Sequence, residues 1–147
     1  MATVNAYLTF NGNCEEAFDF YKANFGGEFS FIGRFKDMPP QEGMAPMPAE
    51  AGEKIMHVCL PISTETMLMG SDTGGEWASN FKAGNNISIS IHATTKDEAD
   101  KLFNGLSDGG QQTMPMSQTF WGDYFGMLVD KFGVNWMISF NEKLQGK

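Results

Sequence analysis

Two stretches decide the fold: Asn13–Gly27, NCEEAFDFYKANFGG, and Thr95–Gly110, TKDEADKLFNGLSDGG. Each opens on a capping box, in which Asn13 or Thr95 accepts from a backbone N–H of the first turn while Glu16 or Glu98 reaches back. Behind the first box Cys14, Ala17, Phe18, Tyr21 and Phe25 fall on one helical face. Behind the second, Ala99, Leu102, Phe103 and Leu106 do the same. Gly26-Gly27 and Gly109-Gly110 then stop the helices. Glu16 matches Glu98, Ala17 matches Ala99 and Tyr21 matches Phe103 at one constant offset, with the double glycines matching after a one-residue slip. A box, a stripe and a terminator aligned together point to an internal duplication.

Strands surround both helices. Val4–Phe10 precedes the first, and Asn86–Ala93 precedes the second, alternating Ile87, Ile89 and Ile91 against Ser88, Ser90 and His92. Glu28–Phe35, Lys54–Pro61 and Thr66–Gly70 follow the first helix. Gln111–Met116, Asp123–Val129 and Val134–Phe140 follow the second, the last two joined by a tight Lys131-Phe132-Gly133 turn. Each half therefore reads βαβββ, and the fold class is α+β: one domain over 1–147, with modules at 1–72 and 87–141 and a connector at 73–86. Asp37–Glu53, holding Pro39, Pro40, Pro46 and Pro48, is expected to be a long loop, neither strand nor helix, covering a site.

The net charge of −8 and the scattering of Lys and Arg argue against nucleic acid and anionic membrane surfaces as partners. No apolar run reaches membrane-spanning length, and MATVNAYLTF lacks the pattern of a secretory leader, so a cytoplasmic location is expected. Cys14 and Cys59 are too few for a disulfide framework. Cys14 stands at a helix start, a place that lowers a thiol pKa, yet reads as a small packing residue.

The paired repeat resembles the vicinal oxygen chelate superfamily of glyoxalases, extradiol dioxygenases, fosfomycin-resistance enzymes and bleomycin-binding proteins. Within it the chain is similar to the PhnB-like branch, often labelled demethylubiquinone methyltransferase. Tyr7–Asn13 running into Glu16-Ala17 and Phe20-Tyr21 carries this resemblance, with Phe25–Glu28, His57 and Ser71-Asp72. Its most specific part is Phe120-Trp121-Gly122-Asp123 together with Asp130–Trp136. Lys131 departs from the branch, which usually has proline there. The resemblance implies a curved, barrel-like mixed sheet around a cleft, and a homodimer. It also implies metal ligands on the first and fourth strands of each half, positions that become Ala6, Met67–Met69, Ser88 and Met137. None offers imidazole or carboxylate, so no metal and no cofactor is expected. The methyltransferase label lacks support as well, because no glycine-rich turn follows a first parallel strand.

His57 and His92 are the candidate bases, without a spacing that makes them a metal pair. The expected ligand-binding residues are Phe10, Ser88, Ser90, His92, Met116, Trp121 and Tyr124. The serines share a polar face with His92, and Trp121 offers a stacking wall beside Phe120 and Tyr124. Asp72 and Asp123 are either polar anchors or turn residues. Three functions stay open: a metal-free binder of an unidentified small molecule, a metal-dependent lyase, isomerase or dioxygenase, and a cofactor-free enzyme using His57 or His92.

Overall fold

The two helices expected from the duplicated stretches are each twelve residues long, α1 (Cys14–Phe25) and α3 (Lys96–Ser107). The computed structural model describes residues 2–37, 49–73 and 80–142. The chain divides into two compact units, Met1–Lys82 and Ala83–Lys147. The first contains β1 (Ala6–Phe10), α1, β2 (Phe31–Arg34), the short α2 (Ala49–Gly52), β3 (Ile55–Pro61) and β4 (Met67–Asp72). The second contains β5 (Ile89–His92), α3, β6 (Gln111–Gln118), β7 (Tyr124–Val129) and β8 (Asn135–Phe140). Both modules are βαβββ, and the fold class is α+β.

The sheets share one topology, β1-β4-β3-β2 and β5-β8-β7-β6, each open at both edges. In each, the first strand pairs parallel with the fourth and the other pairs are antiparallel. The helix covers one face. Ala17, Phe18 and Tyr21 of α1 are fully buried over Val58, Leu60 and Leu68, and Leu102, Phe103 and Leu106 of α3 are buried with Leu128, Trp136 and Ile138. Burial of such side chains at about 1.5–3 kcal/mol each holds each helix on its sheet. Among the described residues no helix is long and apolar enough to cross a membrane.

Three local readings need correction. Asn13 makes no side-chain cap; instead Asp72 Oδ1, from the end of β4, accepts from Gly12 N and Cys14 N, both at 2.9 Å. The second box does form at its N-cap, Thr95 Oγ1 accepting from Glu98 N, but Glu98 reaches one residue further back, to Thr94 N. Ala49–Gly52 makes a turn of helix where only loop was expected. Residues 38–48 of that expected cover, and 74–79 of the connector, lie outside the described residues.

Candidate functional site

Pairing fixes which side chains leave each sheet on its far face, away from the helix. Leu68 and Gly70 of β4 face α1, so their partners Ala6 and Leu8 do too, while Tyr7, Thr9, Met69 and Ser71 face away. In the second module Ile89 and Ile91 pair with the buried Trp136 and Ile138. Ser90 and His92 therefore face away, beside Met137 and Ser139. Ile87 lies outside the strand and is exposed.

The far face of the first sheet carries a ring cluster. Tyr7 stacks on His57 at 5.7 Å between centroids, Phe31 tilts against the same imidazole at 5.7 Å, and the Tyr7 hydroxyl lies 3.4 Å from His57 Nδ1. Beside it Cys59 Sγ lies 3.1 Å from Met67 Sδ. The second far face has a polar group and an aromatic one. Ser139 Oγ lies 2.9 Å from His92 Nδ1, and Trp121 packs edge-on to Phe125, whose Cα partner across the ladder is Ser139. Trp121 is held by its own turn: Nε1 donates to Asp123 Oδ2 at 2.8 Å, and Asn141 Nδ2 donates to Asp123 Oδ1. Its outer neighbour Phe120 is 98% exposed.

The residues expected to bind ligand thus divide. Ser90, His92 and Trp121 emerge on the far face, and Ser88 precedes the strand. Phe10 packs edge-on to Phe18 of α1 and is buried. Tyr124 points to the helix side, its hydroxyl donating to Asp100 Oδ1 and its ring lying under Lys96. That bond to the Asp100 carboxylate pushes the Tyr124 phenol above its ordinary pKa. Met116 lies against Gly126 on the side of Phe103, again under α3. The sequence reading missed Tyr7, Phe31, Phe125 and Ser139. Ser139 alone gave a signal, a hydroxyl inside the otherwise apolar run Trp136–Phe140.

Charge gathers elsewhere. A polar pocket of about 300 Å³ lies in the first unit between the Gly12 turn, Glu15, Arg34 and α2. Its groups bind one another: Arg34 Nη2 meets Glu15 Oε2 at 2.5 Å, Arg34 Nη1 donates to Glu53 O at 2.7 Å, and Lys54 Nζ donates to Gly12 O. The Arg34 guanidinium holds the Glu15 carboxyl below its usual range, burial opposing it. Asp72 is 4% exposed and also accepts from Ile55 N, so both its oxygens are used. Asp72 and Asp123 are structural, not free anchors.

Cys14, at the start of α1, is fully buried beside Asp72. Burial foremost, then the charges of Asp72 and Glu15, push its thiol well above the ordinary range, against the lowering that a helix N-terminus brings. In a Cys59→Ser variant, Cys14 is expected to resist an aromatic disulfide reagent in the native state and to react fully on unfolding. Native labelling at the rate of a free thiol would contradict this.

The metal positions can now be tested. The pair Tyr7 and Met69 corresponds to Ser90 and Met137, and Thr9 and Ser71 to His92 and Ser139, each pair adjacent across the parallel ladder. None of these eight far-face residues on the first and fourth strands is a carboxylate, and the expected positions Ala6 and Ser88 are not among them. Among the described residues no three His, Cys, Asp or Glu side chains converge. One imidazole among hydroxyls and thioethers does not fit a divalent Lewis acid.

The family model described as 3-demethylubiquinone-9 3-methyltransferase matches residues 2–139. The chain belongs to this family. Protein PA1353 from Pseudomonas aeruginosa is 37% identical, with 96% of this chain and 98% of that one covered and a TM-score of 0.78. A PhnB protein from Bacillus cereus is 25% identical over 95% and 99% of the chains, with a TM-score of 0.72. A glyoxalase/bleomycin resistance/dioxygenase family enzyme from Burkholderia phytofirmans shares the fold, at 12% identity, 92% and 95% coverage and a TM-score of 0.60. The methyltransferase in the family's description does not come with the fold, since neither mixed sheet has the wound parallel order of the usual S-adenosylmethionine enzymes.

Proposed function

We propose that the protein binds a neutral, planar small molecule on the far faces of its sheets, without a metal. One observation carries this reading. In a chain of net charge −8, the eight strands among the described residues contain only two charged residues, Arg34 and Asp72. Arg34 is paired with Glu15 of α1, and Asp72 is saturated by backbone N–H groups. What faces away from the helices is aromatic, aliphatic, sulfur-bearing, hydroxyl, carboxamide and imidazole, all uncharged or titrating near neutrality. A ligand with a fixed charge would lose hydration there without gaining a counter-charge, a cost of several kcal/mol. A flat uncharged ring system would gain stacking on Trp121 and Phe125, or on the Tyr7–His57–Phe31 cluster.

A matched series tests the reading: naphthol and its methyl ether against naphthalene sulfonate and naphthylmethylamine. The neutral pair is expected to bind and quench tryptophan emission, and the anion and cation are not. Trp121, 55% exposed, is a wall residue. Trp121→Ala should weaken the neutral pair by about 1–3 kcal/mol while leaving the melting temperature nearly unchanged. Equal or tighter binding of either charged compound would overturn the reading.

A further inference from the structure

The geometry around Ser139 points to a fixed proton arrangement on His92, and with it to the class of ligand: a neutral molecule that donates an O–H or N–H. The inference rests on the far-face reading and names the polar contact within it. Ser139 Oγ has two neighbours, His92 Nδ1 at 2.9 Å and the Ile91 carbonyl oxygen at 3.4 Å. A hydroxyl carries one proton, so only two arrangements exist. If Ser139 donates to Nδ1, one hydrogen bond forms and the Ile91 contact is lost. If Nδ1–H donates to Ser139, the hydroxyl proton is free to go on to Ile91 O and both contacts are hydrogen bonds.

The second arrangement makes one more bond, and the two polarise each other along a chain. Ser139 is 4% exposed, so solvent has little access to its hydroxyl in either arrangement. The bond at Nδ1 sets the tautomer, which leaves the lone pair on Nε2. His92 is exposed, and no described residue hydrogen-bonds to its Nε2. Since Nδ1 is directed at the sheet, Nε2 lies on the opposite side of the ring.

The neighbourhood matches an acceptor for a neutral donor. Ser90 lies two residues before His92 on the same face, with Met137 across the ladder from it and Phe125 across from Ser139. No Lys or Arg lies in β5–β8 to compete for the lone pair. A planar enol, phenol or N–H heterocycle resting on Phe125 and Trp121 would place its donor against Nε2. A ligand that offers only acceptors would meet a lone pair. Ser139 is thus a positioning residue, acting through His92.

Two measurements test this on the whole protein. Nitrogen NMR of ring-labelled histidine in the ligand-free protein is expected to show His92 as the Nδ1–H tautomer, and Ser139→Ala to shift it toward Nε2–H. This needs no ligand, so it stands or falls apart from the neutral-ligand reading. Naphthol is then expected to bind about three- to tenfold tighter than its methyl ether, the worth of one neutral hydrogen bond. The preference should vanish in His92→Phe and shrink in Ser139→Ala. A ligand-free His92 in the Nε2–H form, or a methyl ether that binds as well as naphthol, would overturn the inference.

Discussion

Asp72→Ala is expected to cost about 3–5 kcal/mol of stability, since removing one side of a buried, charge-assisted network strands its partners. The carboxylate accepts from Gly12 N, Cys14 N and Ile55 N, all at 2.9 Å, so it ties the β1–α1 turn and the start of β3 to the end of β4. Cys14 N and Ile55 N are in buried bonds that water could not easily replace. At about 2–4 °C per kcal/mol for a chain near this size, the melting temperature should fall by roughly 10 °C. Asp72→Asn separates charge from shape. Its amide oxygen can keep the Gly12 and Cys14 bonds, but its NH₂ then faces Ile55 N–H, donor against donor. The asparagine variant should fall between alanine and wild type. Thermal or urea unfolding that leaves Asp72→Ala within about 1 kcal/mol of wild type would show that the first turn of α1 is satisfied in another way.

Much of this architecture is legible in the sequence because it is local. The α1 and α3 stripes and the tight turn before β8 are written within a dozen residues of themselves and form where their patterns lie, whereas of the alternating Asn86–Ala93 only Ile89–His92 becomes β5. The cap supplied by Asp72 is not local. Asp72 lies 58 residues from the Cys14 N–H that it accepts, and Asn13 offers a more obvious acceptor close by in sequence.

The site was harder to read for a related reason. Strands that are apolar on both faces, such as Ala6–Phe10 and Tyr124–Val129, do not announce which residues turn toward the helix. The link from strand to helix also differs by one residue between modules. The last helix-facing strand position is Phe10, four residues before α1 begins. Its counterpart Ala93, also buried, stands three residues before α3. Carrying the helix alignment straight into the strands therefore crosses the pleat, and a one-residue slip exchanges faces. Across that slip Tyr7 corresponds to Ser90, and Phe10 to the buried Ala93, so the helix alignment alone assigns them to the wrong face.

The double glycines carry no such slip in the structure, and a mutation can show why. The backbone aligns Gly27, at φ 82°, with Gly109, at φ 78°, at the offset of the helices themselves. Gly26 then corresponds to Asp108, each capping its helix, so the repeat runs on without a gap. Gly110 falls outside this correspondence and has a different duty. A Cβ on it would stand 2.2 Å from Val129 O and 2.8 Å from the carbonyl carbon of Asp130, backbone atoms that no rotamer change can move. At Gly109 the nearest atoms belong to the flexible Lys131 side chain, the closest at 3.2 Å. Gly109→Ala should therefore cost about 1–2 kcal/mol for the left-handed backbone, whereas Gly110→Ala must push β6 away from the end of β7, costing about 3 kcal/mol. Read as a helix stop alone, the pair would rank the other way, because only the left-handed residue would need glycine. Urea unfolding of the two variants decides between them: a Gly109→Ala loss that equals or exceeds that of Gly110→Ala would mean that β6 and β7 have room to part at this end of the sheet.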